Sequence, residues 1–205
     1  MPTRRLFLSA AILAGGKSSR MGADKTAIVW RGESLLVRTA RICREAGLPV
    51  TVVGRERPTG WPLVGVRFEP DEVPDRGPLG GLLTALSALE AEYDGILAVA
   101  CDMPLLDRSA VEWMCESASN AGNGIAGIAA KTGDGRVQPL FAVYLRACEP
   151  VIRSRIEQGR HSVNRMIIEE RFEIVDAPSS VEDVIVNVNT PEDLAAVANR
   201  NGSAT

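Results

Sequence analysis

The segment Leu13-Ala14-Gly15-Gly16-Lys17-Ser18-Ser19-Arg20-Met21-Gly22-Ala23-Asp24-Lys25 sets paired glycines and three cations directly after the apolar run from Leu6 to Ile12. Glycines without a Cβ let successive N–H groups turn toward an anion, and Lys17, Arg20 and Lys25 add charge of the matching sign. A buried strand feeding a glycine-rich basic loop is how α/β sheets hold phosphates. Two familiar phosphate loops are excluded by spacing. A Walker A loop needs a glycine five positions before the Gly of Gly-Lys-Ser, and that position is Ala11. The dinucleotide pattern G-x-G-x-x-G fails because no third glycine stands at the required offset from Gly15-Gly16.

A carboxylate stands ready to complement those cations. Asp102 follows the apolar strand Ile96–Ala100 and Cys101, and Pro104 stops the strand from continuing. The position is therefore the C-terminal edge of a central strand, where open α/β sheets bind ligands. One carboxylate beside phosphate oxygens is an ordinary Mg²⁺ ligand, with water and phosphate completing the octahedron. The competing role, a cap on the following helix, suits Asp107 better by its spacing. Asn187 and Asn189 straddle Val188, so in a strand they project to one face beside a helix N-terminus. There they could position a phosphate, or Asn189 could be a turn residue before a cap at Thr190.

The elements that must carry these residues alternate. Strands are expected at Val50–Val53, Val64–Phe68 and Ile96–Ala100, and helices at Ser34–Ala46, Leu79–Leu89 and Asp107–Ser119. The second half reads as strands Gly124–Ala130 and Val137–Tyr144 around the turn Lys131–Arg136, then helices Ala147–Glu157 and Val163–Glu169. Short strands Phe172–Val175 and Val184–Val188 follow. Thr190-Pro191-Glu192-Asp193 opens a last helix with a cap, a Pro at the first position and an acid at the third. The expected fold is α/β: a doubly wound, mostly parallel Rossmann-like sheet, with mixed strands in the C-terminal half. A single domain over residues 1–199 is expected, with 200–205 a frayed tail.

Composition removes several functions. With 45% hydrophobic and 24% charged residues and a net charge of −3, the chain carries no basic footprint for nucleic acid. His161 is the sole histidine, which excludes multi-histidine metal sites and disfavours a Ser-His-Asp hydrolase. Cys43, Cys101, Cys115 and Cys148 lack a C-x-x-C pair and read as buried thiols of a reducing compartment. Thr3-Arg4-Arg5-Leu6-Phe7-Leu8-Ser9 resembles a twin-arginine signal, yet its apolar run passes straight into the glycine-rich loop, where cleavage would damage the phosphate motif. A cytoplasmic location without membrane association is expected.

The segment Leu13–Lys25 resembles the LAGG-x-S-x-RMG-x-DK loop of nucleotidyltransferases with a nucleotide-diphospho-sugar transferase-like fold. Four later segments, in order along the chain, narrow the resemblance to molybdenum cofactor guanylyltransferases. They are Gly77-Pro78-Leu79-Gly80-Gly81-Leu82, Cys101-Asp102-Met103-Pro104, Gln138-Pro139-Leu140-Phe141 and Asn187-Val188-Asn189-Thr190-Pro191-Glu192-Asp193. The resemblance implies Mg²⁺-dependent transfer of GMP from GTP to the terminal phosphate of molybdopterin, with pyrophosphate released. It makes Arg20, Lys25 and Asp102 catalytic, Asp102 the metal ligand, and Leu13, Ala14, Gly15, Gly16, Lys25, Asp71, Gly77 and Asp102 the nucleotide site. Gln138, Asn187 and Asn189 would wall the acceptor pocket. Asp24 would orient Lys25, and Lys17 is a further candidate for phosphate contact. Gly54 departs from family members that carry a polar side chain there, so base selection would fall to main-chain groups or neighbours. Transient contact with cofactor-assembly proteins and target molybdoenzymes is implied as well. Cytidylyl transfer to the same acceptor, sugar-phosphate nucleotidyl transfer and a non-catalytic nucleotide-binding module stay open as alternatives.

Overall fold

The computed structural model describes residues 5–15 and 28–202. Its elements in chain order are β1 (Leu8–Leu13), β2 (Val29–Trp30), β3 (Glu33–Ser34), α1 (Leu35–Glu45), β4 (Val50–Val53), β5 (Arg67–Glu69), α2 (Gly77–Ser87) and β6 (Gly95–Ala100). There follow α3 (Arg108–Asn120), β7 (Gly127–Lys131), β8 (Val137–Leu145), α4 (Cys148–Glu157), α5 (Val163–Glu169), β9 (Phe172–Asp176), α6 (Ser179–Glu182) and α7 (Pro191–Gly202).

A seven-stranded sheet runs in the order β5-β4-β1-β6-β8-β7-β9. The pairs β1–β4, β1–β6 and β4–β5 are parallel, β8 is antiparallel to both β6 and β7, and β9 returns parallel to β7. This is the expected doubly wound sheet with mixed strands in the second half. Both faces of β1 are covered, so all six of its residues are buried. Successive side chains point to opposite faces: Ala10 and Ile12 join the layer of Cys43, Val111 and Met114, while Ala11 and Leu13 join that of Leu82, Leu86, Ile152 and Met166. Helices α1 and α3 thus lie on one face, and α2, α4 and α5 on the other.

Local chemistry sets the helix starts. Ser34 Oγ accepts from Val37 N and Asp107 Oδ1 from Ala110 N, each satisfying an N–H that has no intrahelical partner. Pro78 falls in the first turn of α2, where its missing N–H costs no bond, so that helix begins at Gly77 rather than Leu79. At α7 the expected box forms: Thr190 Oγ1 accepts from Asp193 N at 3.1 Å, and Asp193 Oδ2 accepts from Thr190 N and Asn189 N, both at 2.9 Å. The turn between β7 and β8 also forms, with Thr132 N donating to Arg136 O at 3.0 Å.

Three expectations are corrected. The strand at Val64–Phe68 begins only at Arg67, because Val64 and Gly65 make an exposed turn ahead of it. The strand at Gly124–Ala130 begins at Gly127. No strand forms at Val184–Val188. There the N–H groups of Val184 and Ile185 donate back to Val181 O at the end of α6, so they cannot join a ladder. The β-branched run still buries Ile185 and Val188, and Asn187 and Asn189 remain exposed on either side of Val188. The hairpin of β2 and β3 pairs Val29 with Ser34 and Trp30 with Glu33, two residues on each strand. Its Trp30 packs with Leu35, Val188 and Val197 in a small third core.

Candidate active site at the carboxyl edge of the sheet

The registers place the candidate residues on one edge. Leu13 lies opposite both Val53 and Ala100, and Val53 lies opposite Glu69. Gly15, Gly54, Asp71 and Asp102 each follow one of these strand ends by one or two residues. The chain winds from β1 toward β4 and β5 on one side and returns to β6 on the other. The crevice at such a reversal of strand order is where open sheets receive ligands. Gly15 and Asp102 flank it. Gly16, Lys17, Arg20 and Lys25, expected at the phosphates, and Asp24, expected to orient Lys25, lie outside the described residues.

Gly15 and Gly54 meet main chain to main chain. A Cβ built on Gly54 would stand 2.6 Å from Gly15 Cα and 2.7 Å from Gly15 N, and Gly54 adopts φ +90°. Only glycine accepts both conditions without strain. Gly54 is therefore required by close approach, which accounts for the absence of a polar side chain at this position. The ladder extends into the loop around the pair: Ala14 N donates to Val53 O and Gly54 N to Glu69 O, each at 2.9 Å. Ala14 N–H is thus committed to the sheet, and the amides able to turn toward an anion start beyond it.

Asp71 leans on this pair. Its Oδ2 lies 3.1 Å from where a Cβ on Gly15 would stand, and its Oδ1 lies 3.4 Å from the corresponding point on Gly54. Desolvation there pushes the Asp71 carboxyl above the ordinary carboxylate range. A partly desolvated carboxylate can accept a hydrogen bond from a base N–H or a ribose hydroxyl. The neighbouring backbone is fixed by Thr84, a buried residue of α2 whose hydroxyl accepts from Glu72 N at 2.9 Å and donates to Gly80 O at 3.1 Å. Arg153 from α4 holds the Glu72 carboxylate at 3.0 Å. Gly77 and Pro78 are exposed at the start of α2, whereas Gly80 and Gly81 are buried. A Cβ on Gly81 would meet Leu13 Cδ2 at 2.9 Å, so this glycine lets α2 pack closely on β1.

Asp102 is half-buried, and its carbonyl accepts from Val188 N at 2.9 Å. That bond draws Asn187 and Asn189 to the same edge, although the segment is irregular. Asn189 N–H is used in the α7 cap, which makes this residue the one preceding the cap. On the other flank Val99 lies opposite Phe141 in the antiparallel pair, so the run before Phe141 overhangs the end of β6. Gln138 and Pro139 lie in that overhang, where the β7–β8 register is broken by a bulge. Tyr144 Oη donates to Pro139 O at 2.7 Å and pins it. Among the described residues the structure thus brings Gly15, Asp71, Gly77, Asp102, Gln138, Asn187 and Asn189 to one edge.

The donor chemistry fits a hard divalent cation shared with a substrate. No group of three or more His, Cys, Asp or Glu gathers among the described residues, so a protein cage is not offered by them. A single carboxylate beside a phosphate site is what Mg²⁺ uses, because it keeps water and binds phosphate oxygens. A separate shallow crevice opens at the opposite edge, between Ser9, Thr51, Arg67 and Tyr93. Its cation, Arg67, is already paired with Glu69 and Glu90.

Comparison with known proteins follows the same line. The profile of the MobA-like NTP transferase domain matches residues 10–175. The chain belongs to the MobA-like NTP transferase family. A probable molybdenum cofactor guanylyltransferase of Nostoc sp. is 32% identical to it, over 93% of this chain and 90% of the relative. A molybdenum cofactor guanylyltransferase of Pseudomonas putida is 30% identical, over 95% of this chain and 99% of that one. The crystal structure of molybdopterin-guanine dinucleotide biosynthesis protein A from Archaeoglobus fulgidus superposes with a TM-score of 0.74 at 20% identity, covering 95% of this chain and 99% of its own. The family and fold implied by the sequence motifs are those found. No helix among the described residues is long and apolar enough to cross a membrane.

Proposed function

We propose that this chain transfers GMP from GTP to the terminal phosphate of molybdopterin, releasing pyrophosphate and forming a guanine dinucleotide cofactor. The observation that carries the reading is the convergence of the Gly15–Gly54 contact, Asp71 and Asp102 on the reversal point of the sheet. The names of the relatives from Nostoc and Pseudomonas putida support guanylyl rather than another nucleotidyl transfer.

In this reading the glycine-rich loop beyond Ala14, with Arg20 and Lys25, embraces the triphosphate and offsets the charge that grows as pyrophosphate departs. Asp102 would hold Mg²⁺, which, when bound with phosphate oxygens and water, neutralises triphosphate charge. Asp71 accepts a hydrogen bond from the nucleoside. Gln138, Asn187 and Asn189 orient the acceptor phosphate. One of its oxygens attacks the α-phosphorus in line; the new P–O bond forms as the bond to the pyrophosphate oxygen breaks. A phosphate nucleophile is already ionised near neutral pH, so no general base is required, in keeping with a chain of one histidine. Catalysis rests on positioning and electrostatics. The reaction belongs to the cytoplasm, where the product could pass to assembly proteins or target molybdoenzymes.

The test is to offer molybdopterin with each nucleoside triphosphate and follow pyrophosphate. Release with GTP that depends on the acceptor is expected. Release with CTP instead would make the chain a cytidylyltransferase, and nucleotide binding without acceptor-dependent release would make it a binding module.

A further inference from the structure

The loop from β6 to α3, which carries Asp102, is fastened at successive main-chain carbonyls. Asp102 O accepts from Val188 N at 2.9 Å, and Met103 O accepts from Leu106 N at 3.2 Å. The next two fastenings come from one side chain on another element. Arg38 of α1 donates from Nε to Pro104 O at 2.9 Å and from Nη2 to Leu106 O at 3.2 Å. Asp107 then caps α3. The neighbouring Arg41 is engaged differently, with Glu33 at 2.9 Å and Glu45 at 2.8 Å. Half-buried, Arg38 instead gives two of its donors to carbonyls of this one loop. Burial lowers its pKa, which marks a desolvation cost that an ordinary surface arginine does not carry. A guanidinium has a planar fork of donors that can span two acceptors at once, which an ammonium group cannot reproduce.

We infer that Arg38 is a positioning residue for Asp102, holding the loop so that the carboxylate keeps the geometry needed to bind a divalent cation with the nucleotide. This rests on the reading of Asp102 as the metal ligand. Groups that hydrogen-bond a metal ligand directly are worth about 10-fold to 100-fold in metal affinity when removed; Arg38 acts through the backbone of Pro104 and Leu106, so the lower end applies.

The test uses the full-length protein with a non-hydrolysable GTP analogue, and Mn²⁺ as the probe, titrated by electron paramagnetic resonance. Arg38→Met is expected to weaken Mn²⁺ binding by about 10-fold, while analogue binding without metal stays as in the wild type. Arg38→Lys, able to reach one carbonyl, is expected to fall between the two, and it serves as the readout if circular dichroism shows Arg38→Met unfolded. Wild-type Mn²⁺ affinity in a folded Arg38→Met, or in Arg38→Lys where the former does not fold, overturns the inference. Asp102→Asn separates the two claims. If it abolishes Mn²⁺ binding while the Arg38 variants do not change it, only the role of Arg38 fails; if it leaves Mn²⁺ binding intact, the metal assignment fails and the inference with it.

Discussion

Replacing Gly54 by alanine isolates its main-chain contact with Gly15. The new Cβ would lie 2.6 Å from Gly15 Cα and 2.7 Å from Gly15 N. Carbon atoms rest at about 3.5–4.0 Å, so one backbone must retreat by about 1 Å. No side chain can absorb this, because both partners are main chain. The φ of +90° adds a conformational penalty of about 1–2 kcal/mol, and forcing atoms into a packed contact adds about 1–3 kcal/mol. In a chain of this size each kcal/mol lowers the melting temperature by about 2–4 °C, so a fall of several degrees is expected. The effect on function should exceed that on stability, since a misplacement of 1 Å can cost about 100-fold in rate. Gly15→Ala is the control. Its Cβ would meet Asp71 Oδ2 at 3.1 Å and Gly54 Cα at 3.2 Å, contacts that a small shift and a rotating carboxylate can relieve. Calorimetric titration with GTP and thermal melts of both variants would show Gly54→Ala as the more severe on both counts. Wild-type affinity in Gly54→Ala, or a more severe Gly15→Ala, would refute the reasoning.

Three further outcomes follow from the same geometry. Asp102→Asn should lower turnover by two or more orders of magnitude with little change in melting temperature, and stopped assays of pyrophosphate release would measure it. Asp71→Asn should weaken GTP binding yet raise stability at neutral pH, because burial raises the carboxyl's pKa on folding. In the wild type the folded state then holds its proton more tightly, so stability falls as pH rises from the ordinary aspartate range through the raised value; urea melts across that window should show the fall absent in Asp71→Asn. Thr84→Val removes the acceptor for Glu72 N and should cost about 1 kcal/mol, with a raised KM for GTP at unchanged kcat. Thr84→Ser, which keeps the hydroxyl, should restore KM.

Features fixed by neighbours in the chain were legible in the sequence. The caps at Asp107 and Thr190, the buried strand of β1 and the position of Asp102 after β6 all follow from residues within a few positions of each other. The parallel character of the first half follows from alternating strand and helix patterns, and the mixed second half from the β7–β8 turn. Features fixed across the chain were not. Gly54 reads as a lost polar contact until its strand is laid beside β1, where Gly15 leaves no room for a Cβ. Arg38 looks like one of many helix-surface arginines, because the carbonyls it meets belong to a loop far away in sequence. Val184–Val188 has the residue types of a strand, but the preceding turn of α6 uses its N–H groups. The two-residue strands β2 and β3 are too short to show a period.

The most direct test of the central claim is a crystal of the protein soaked with GTP analogue and Mn²⁺. The account predicts an anomalous peak within coordination distance of Asp102, triphosphate density along the chain just past Ala14, and the nucleoside against Asp71. Nucleotide bound at the opposite edge beside Arg67 and Tyr93, or a metal peak remote from Asp102, would contradict it.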